Sequence, residues 1–285
     1  MTRTITGAAR LAGLIGWPVA HSRSPAIHTA WIARLGLDAA YVPMAVPPDR
    51  LGDAVAGLRA LGFQGVNVTI PHKQAVMPLC AHLSPAAAAI GAVNTLVRRG
   101  DGFEGHNTDS AGFRASLDRE APGWPRAAAL VLGAGGAGLA CTFALIEAGV
   151  PDITVTNRDP ARAEAICRHL ARPGLRLTPL PWEQRAAALA DAALVVNATS
   201  LGMTGKPPLD LALEGLAPGA VVADVVYAPL ATPLVAAARA RGHRAVGGLG
   251  MLIEQARAAF AFWFGMEPDD PPGLRESLEQ ALEAR

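Results

Sequence analysis

Apolar positions along the first third of this chain gather into short runs separated by mixed stretches. The runs at 11–15, 40–46, 66–70 and 92–98 are too brief for helices and read as strands. The stretches at 25–35, 48–61 and 85–91 read as helices between them, and a turn at Asp101-Gly102 leads into a short strand ending at His106. Such alternation predicts an α/β layer.

The pattern then restarts. The apolar run 128–132 opens directly onto Gly133, Gly135 and Gly138, spaced as G-x-G-x-x-G, and 139–148 reads as a helix stopped by Gly149. Missing Cβ atoms in such a loop let a pyrophosphate rest against main chain at a helix N-terminus. Further strands centre near Val155, Leu177, Val195, Val222 and Ala245, with helices between most of them and 186–190 read as helical filler. Six strands with crossovers predict a doubly wound parallel sheet, a Rossmann domain. It starts too late in the chain to stand alone, so the first third must be a separate domain. The expected division is 1–114 for a substrate-binding and catalytic α/β domain, 115–246 for the dinucleotide-binding domain and 247–285 for C-terminal helices. In that tail 251–264 is strongly helical, and Leu274, Leu278 and Leu282 mark an amphipathic last helix.

Composition narrows the function. A net charge of +1 over 285 residues, with both signs interspersed, offers no basic stripe for nucleic acid. Cys80, Cys141 and Cys167 are widely spaced and form no C-x-x-C pair, which argues against a disulfide frame or a metal site and for a reducing, cytoplasmic compartment. Gly16 and Pro18 interrupt the apolar 11–20 stretch, so it reads as a first strand and not a signal peptide. No run approaches membrane-spanning length.

Several polar residues stand where chemistry is expected. Ser22 and Ser24 lie between the first strand and the first helix. Ser24 with Pro25 would make an N-cap and N1 pair, while two hydroxyls at a helix N-terminus would also seat a carboxylate. Asn67 and Thr69 alternate with Val66, Val68 and Ile70 and so share a face; Pro71 ends that strand and leaves Lys73 beyond its carboxyl end. Asn94 and Asp109 add polar groups in apolar surroundings, although Asp109 could simply cap the next helix. After the second dinucleotide strand come Asn157 and Arg158 in place of the carboxylate that binds a ribose 2′-hydroxyl in NAD enzymes. A guanidinium can hold a 2′-phosphate as a bidentate fork, so the pair favours NADP. Asp159-Pro160 reads as the cap of the following helix, and Arg162 either shares the phosphate or is a solvated surface arginine.

The motifs HSRSP, NVTIPHK, GAVNT, GHNTD, GAGGAG, NR, NATSLGM and GLGMLIEQA occur in this order from about Gly16 to Trp263, and the chain resembles the shikimate dehydrogenases. The resemblance implies NADPH-dependent reduction of 3-dehydroshikimate to shikimate in chorismate and aromatic amino-acid biosynthesis, in a cleft between two α/β domains, with the last helices folded back onto the first. It implies Ser22 and Ser24 on the substrate carboxylate with Tyr227 nearby, and Asn67, Thr69, Asn94, Asp109 and Gln255 on ring oxygens. Lys73 and Asp109 form the implied catalytic pair. On the cofactor side it implies Gly133, Ala134, Gly135, Gly136, Ala137, Asn157, Arg158, Arg162, Thr199, Gly248 and Met251. Two departures stand out: Asp159 where the family often has threonine, and Gly247 where an aspartate commonly precedes Gly-Leu-Gly-Met. Lysine is a poor base at neutral pH, so Lys73 is expected to act as acid and electrostatic stabiliser in reduction, oriented by Asp109. The partners expected are small molecules, with monomer and homodimer both open. The nearest alternative is a quinate/shikimate dehydrogenase using NAD. A non-catalytic dinucleotide sensor is disfavoured by the presence of both Lys73 and Asp109, and a serine hydrolase by the lack of a G-x-S-x-G elbow.

Overall fold

The early strands fold into one mixed sheet. In the computed structural model, which describes residues 5–284, they are β1 (Arg10–Gly16), β2 (Ala39–Ala45), β3 (Gly65–Val68), β4 (His82–Leu83), β5 (Thr95–Arg99) and β6 (Gly102–His106). Their order is β2-β1-β3-β5-β6-β4. β1 lies parallel to β2 and β3, whereas β5 pairs antiparallel with both β3 and β6. Pro43 lies in β2 at the sheet edge, where a missing N–H costs no ladder bond. Helices α1 (Ser24–Arg34), α2 (Leu51–Ala60) and α3 (Pro85–Ile90) connect the strands. Ile15, Leu58, Val66, Val68, Leu96 and Phe103 form part of the buried core.

The later strands build a second sheet that is parallel throughout. Helix α4 (Asp109–Glu120) precedes β7 (Ala128–Leu132); α5 (Gly136–Glu147), β8 (Asp152–Asn157), α6 (Pro160–His169) and β9 (Arg176–Pro181) follow. After them come β10 (Leu194–Asn197), β11 (Val221–Asp224), α7 (Pro233–Ala240) and β12 (Arg244–Val246). The order β12-β11-β10-β7-β8-β9 is the doubly wound one, reversing between β7 and β10, and ligands bind at such a switch point. The stretch 186–190 does not form the expected α-helix: Ala187–Asp191 is a single 3-10 turn, a segment too short to repay helix nucleation.

The chain divides into two compact units. One runs up to Thr108 and includes Gln255–Ala281; the other holds Asp109–Glu254 and the residues from Leu282. The sequence-based boundary at 115 falls inside α4, whose Phe113 and Leu117 are buried in the core of the second unit. Helix α8 (Gly248–Phe264) passes from the second unit into the first at Gln255, and α9 (Leu274–Glu283) follows. The later part of α8 is fixed within the first unit by Trp263, whose Nε1 donates to the Leu96 carbonyl at 2.9 Å. Gly65 makes room for that indole, since a Cβ there would stand 2.3 Å from Nε1. No helix among the described residues is long and apolar enough to cross a membrane.

Candidate active site

In the first unit, Ser24 does not cap α1 as the sequence suggested. Arg23 occupies the N-cap position without a side-chain bond, and Ser22 Oγ instead accepts the Ser24 N–H at 3.3 Å. With its hydroxyl released from capping, Ser24 is buried and hydrogen-bonds Tyr41. Tyr41, inside β2, donates to Asn67 Oδ1 at 2.7 Å. Burial pushes this phenol above its ordinary pKa, with the Ser24 hydroxyl opposing.

The network continues along the sheet. Asn67 Nδ2 makes two long contacts, 3.4 Å to the Asn94 carbonyl and 3.3 Å to Thr95 Oγ1. Asn94 Oδ1 accepts from the Thr108 N–H at 2.7 Å and from Thr95 Oγ1 at 3.0 Å, while its Nδ2 donates to Thr108 Oγ1 at 2.9 Å. An unpaired buried amide costs about 1–3 kcal/mol, so this mutual satisfaction is what allows polar side chains within the sheet. Beneath them His28 is fully buried, stacked on Tyr41 at 4.2 Å and edge-on to Trp31 at 5.5 Å. Burial lowers its pKa to about 3, the Asn67 side chain opposing, although neither ring nitrogen makes a hydrogen bond of ordinary geometry. His28 is a neutral aromatic wall.

Strand β3 ends at Val68, so Thr69 follows the strand and does not continue it, and the chain turns through Pro71 to Lys73. The buried His72 pins this turn through Nε2 and the Val46 carbonyl at 2.7 Å. Lys73 is half-buried, and its carbonyl accepts from Val93 N at 2.8 Å, tying the lysine to the segment that carries Asn94. Gln255, buried on α8, belongs to this same unit. Asp109, the buried first residue of α4, and the half-buried Tyr227 belong to the second.

The second unit fits a dinucleotide at its glycine loop. Gly133 has φ +109°, and a Cβ on Gly138 would lie 2.0 Å from the Gly133 carbonyl oxygen. Those two glycines are demanded by the turn and by close strand–helix packing. Gly135 and Gly136 are exposed with open space beside them, at the amino end of α5, where main-chain N–H groups and the helix dipole suit an anion. Asn157 Oδ1 holds the loop by accepting from Ala134 N at 3.1 Å, and Asn157 Nδ2 donates to the Asp159 carbonyl at 2.9 Å. Asp159 caps α6 through the Ala161 N–H, as its sequence suggested, and its other oxygen lies 3.5 Å from Arg162. Arg158 and Arg162 are both exposed. Ala137 and Met251 pack against the apolar core of this unit. A Cβ on Gly248 would lie 2.2 Å from the Val225 carbonyl oxygen, whereas one on Gly247 would meet the Leu230 carbonyl oxygen at 3.3 Å. The glycine at 248 is therefore required by packing, whereas a side chain at 247 needs the Leu230 carbonyl to give by a few tenths of an ångström.

Behind this loop lies a cluster that the sequence reading passed over. Asn197 and Asp224, which close the apolar strands β10 and β11, are both buried and bond each other at 3.0 Å. A polar residue ending a wholly apolar run was the available signal. Thr199, assigned to the cofactor side, turns its hydroxyl inward to Asn197 Oδ1 at 2.7 Å. Among the described residues no group of His, Cys, Asp or Glu could hold a metal ion.

Residues 14–96 match the shikimate dehydrogenase substrate binding domain, 117–203 the shikimate/quinate 5-dehydrogenase domain and 248–283 the shikimate 5′-dehydrogenase C-terminal domain. A shikimate dehydrogenase (NADP(+)) of Rhodospirillum rubrum is 51% identical over 278 residues, 96% of this chain and 98% of that protein. The structure of shikimate 5-dehydrogenase from Thermus thermophilus in complex with NADP(H) and shikimate has 39% identity and a TM-score of 0.85, covering 96% of this chain and 100% of that one. Quinate dehydrogenase from Corynebacterium glutamicum in complex with NAD has 35% identity and a TM-score of 0.89, covering 95% and 99%. With three domain matches in chain order and half of its residues identical to a full-length relative, this chain belongs to the shikimate dehydrogenase family.

Proposed function

We propose that this protein reversibly reduces 3-dehydroshikimate to shikimate with NADPH, a step of aromatic amino-acid biosynthesis. The observation that carries this reading is the polar series Ser22, Ser24, Asn67 and Lys73 at the carboxyl end of the first sheet, in a chain 51% identical to a shikimate dehydrogenase (NADP(+)). Ser22 and Ser24 bind the carboxylate. Asn67, Thr69, Asn94 and Gln255 position ring oxygens, and Tyr227 completes the substrate contacts. Main chain from Gly133 to Ala137 cradles the pyrophosphate, and Asn157, Arg158 and Arg162 take the adenosine ribose and its 2′-phosphate. Thr199, Gly248 and Met251 line the nicotinamide side.

When bound, the cofactor supplies a hydride to the substrate carbonyl carbon. The carbonyl oxygen then carries the developing negative charge, and Lys73 stabilises it and donates a proton from Nζ, leaving a hydroxyl. Asp109 is the second residue of the proposed pair, a carboxylate able to accept a hydrogen bond from a substrate hydroxyl. Positioned proton transfer of this kind contributes about 10²–10⁴ in rate. The free cysteines support a reducing, cytoplasmic setting.

The test is a substrate grid. Shikimate, quinate, 3-dehydroshikimate and 3-dehydroquinate are each assayed with NADP(H) and NAD(H) by nicotinamide absorbance. The expected result is a kcat/KM for shikimate with NADP at least about tenfold above every other pairing in the oxidation direction. Faster turnover of quinate with NAD would replace this reading with the quinate one, which the likeness to a quinate dehydrogenase favours.

A further inference from the structure

Asp224 is a buried carboxylate to which the proposed chemistry gives no work. It closes β11 with 2% exposure and accepts three hydrogen bonds. Its Oδ1 takes the Asn197 Nδ2 donor and the Val226 main-chain N–H, each at 3.0 Å, and its Oδ2 takes the Thr232 hydroxyl at 2.7 Å. A charge in such a place needs this degree of satisfaction, because desolvating a carboxylate is expensive. Burial raises its pKa, and the bonds to Thr232, Val226 and Asn197 oppose the rise.

What those bonds hold is more informative than what they cost. Asn197 ends β10, next to β7 at the point where strand order reverses. Its Nδ2 is held by Asp224 Oδ1 and by the Leu201 carbonyl at 3.1 Å, which fixes the amide with Oδ1 facing the loop beyond β10. That Oδ1 receives both the N–H and the hydroxyl of Thr199, at 3.1 and 2.7 Å, and Thr199 Oγ1 in turn accepts from Leu201 N at 3.0 Å. The second loop is tied to the same centre. Val225 N donates to the Asn197 carbonyl at 3.0 Å, and Gly248 N to the Val226 carbonyl at 3.1 Å. One carboxylate thus reaches two loops: through the Asn197 amide it holds the loop that carries Thr199, and through the Val226 N–H it holds directly the loop that carries Tyr227.

We propose that Asp224 is a positioning residue for the nicotinamide cofactor, acting through Asn197 on the Thr199 loop. The proposal rests on the reading that the Thr199 loop faces the cofactor. Thr232 lies on the other side of the relay: it receives the Val235 N–H as the cap of α7 at 3.2 Å and touches the carboxylate only through Oδ2. The relay to Thr199 runs only through Oδ1, so an amide at 224 that keeps its oxygen in that place should preserve it.

The experiment measures NADPH KM, kcat and melting temperature for Asp224→Ala, Asp224→Asn, Thr232→Val and Thr199→Val. Asp224→Ala removes both oxygens and should raise the NADPH KM about tenfold or more, with kcat at saturating NADPH within about threefold of wild type. Asp224→Asn should restore the KM to within about threefold while still melting lower, because Thr232 has lost its acceptor. Thr232→Val should also melt lower, with the KM unchanged. An Asp224→Asn enzyme as weak for NADPH as Asp224→Ala would overturn the proposal, as would an unchanged KM in Asp224→Ala. Thr199→Val separates this from the underlying reading. A raised KM there with a normal Asp224→Ala sinks the relay alone, whereas a normal KM in Thr199→Val removes the Thr199 loop from the cofactor and the relay with it. Should Asp224→Ala fail to fold, Asn197→Ala cuts the same relay from its other end and must give the same NADPH-selective loss.

Discussion

In the first unit two of the side chains with proposed ligand roles are deeply buried, Asn67 at 5% exposure and Asn94 at 3%, while Ser22, Thr69 and Lys73 are half-buried. In the second, the cradle proposed for the cofactor phosphates is main chain at 133–137 with Asn157 and two exposed arginines, while two buried polar residues, Asn197 and Asp224, stand behind the loop. The first arrangement fixes individual donor and acceptor positions, because Asn67 is held by Tyr41 and Thr95 and Asn94 by Thr95 and Thr108. The second fixes the course of a loop and leaves charge at its rim. Side-chain truncation should therefore be severe in the first unit. In the second it should be moderate at the rim and felt indirectly at the buried pair.

The strongest test of that contrast is Lys73→Met, which keeps most of the stem and removes the charge. Turnover should fall by at least about a hundredfold, with both KM values within about threefold and the melting temperature little changed. A folded variant with more than about a tenth of wild-type turnover, with hydride transfer rate-limiting, would return Lys73 to the status of a loop lysine.

Arg158→Leu probes the rim. A hydrogen bond to a charged group contributes about 1.5–3 kcal/mol, so NADPH should bind about ten- to a hundredfold more weakly while NADH affinity hardly moves. Equal weakening of both cofactors would show that Arg158 does not read the 2′-phosphate.

The smallest expected effect contrasts two buried titratable groups whose pKa values move in opposite directions. His28 has a folded pKa of about 3 against an ordinary 6.5, so the unfolded chain binds more protons between those values. Its contribution is complete above about pH 6.5 and is lost as pH falls toward 3, about 2 kcal/mol of it by pH 5. Asp224 has the opposite sign: its raised pKa gives a contribution present below the ordinary carboxylate range and lost as pH rises through the folded value. His28→Phe keeps an aromatic ring against Tyr41 and removes the titration. Urea unfolding at pH 7 and pH 5 should show a fall in wild type that is smaller by about 2 kcal/mol in the variant. Identical falls in both proteins would mean that His28 is not held neutral by burial.

Much of this molecule was legible before any coordinates. The run 128–132 followed by spaced glycines announced a strand, a turn and a helix, and the structure supplies β7, Gly133 at positive φ and α5. Asp159-Pro160 announced the cap of α6, and the cap is there. Such features are local: apolar run length, a positive φ and an N-cap side chain act within a few residues, so the chain itself carries the signal. Other features escaped because they need a partner far away in sequence. Ser24 has the composition of a cap, but Arg23 took that position, and the hydroxyl went instead to Tyr41 on the neighbouring strand.

The sequence by itself determined two α/β sheets, the glycine loop and the polar residues beyond β3, because hydrophobic periodicity and backbone sterics operate at short range. Only the tertiary structure decided that α4 belongs with the second unit from Asp109 onward and that α8 changes unit at Gln255. It also decided that Asp224 reaches Thr199 through Asn197, across 27 residues between the carboxylate and the amide. Those outcomes depend on which strands become neighbours, and a buried polar group takes whichever partner the finished sheet brings within hydrogen-bonding distance.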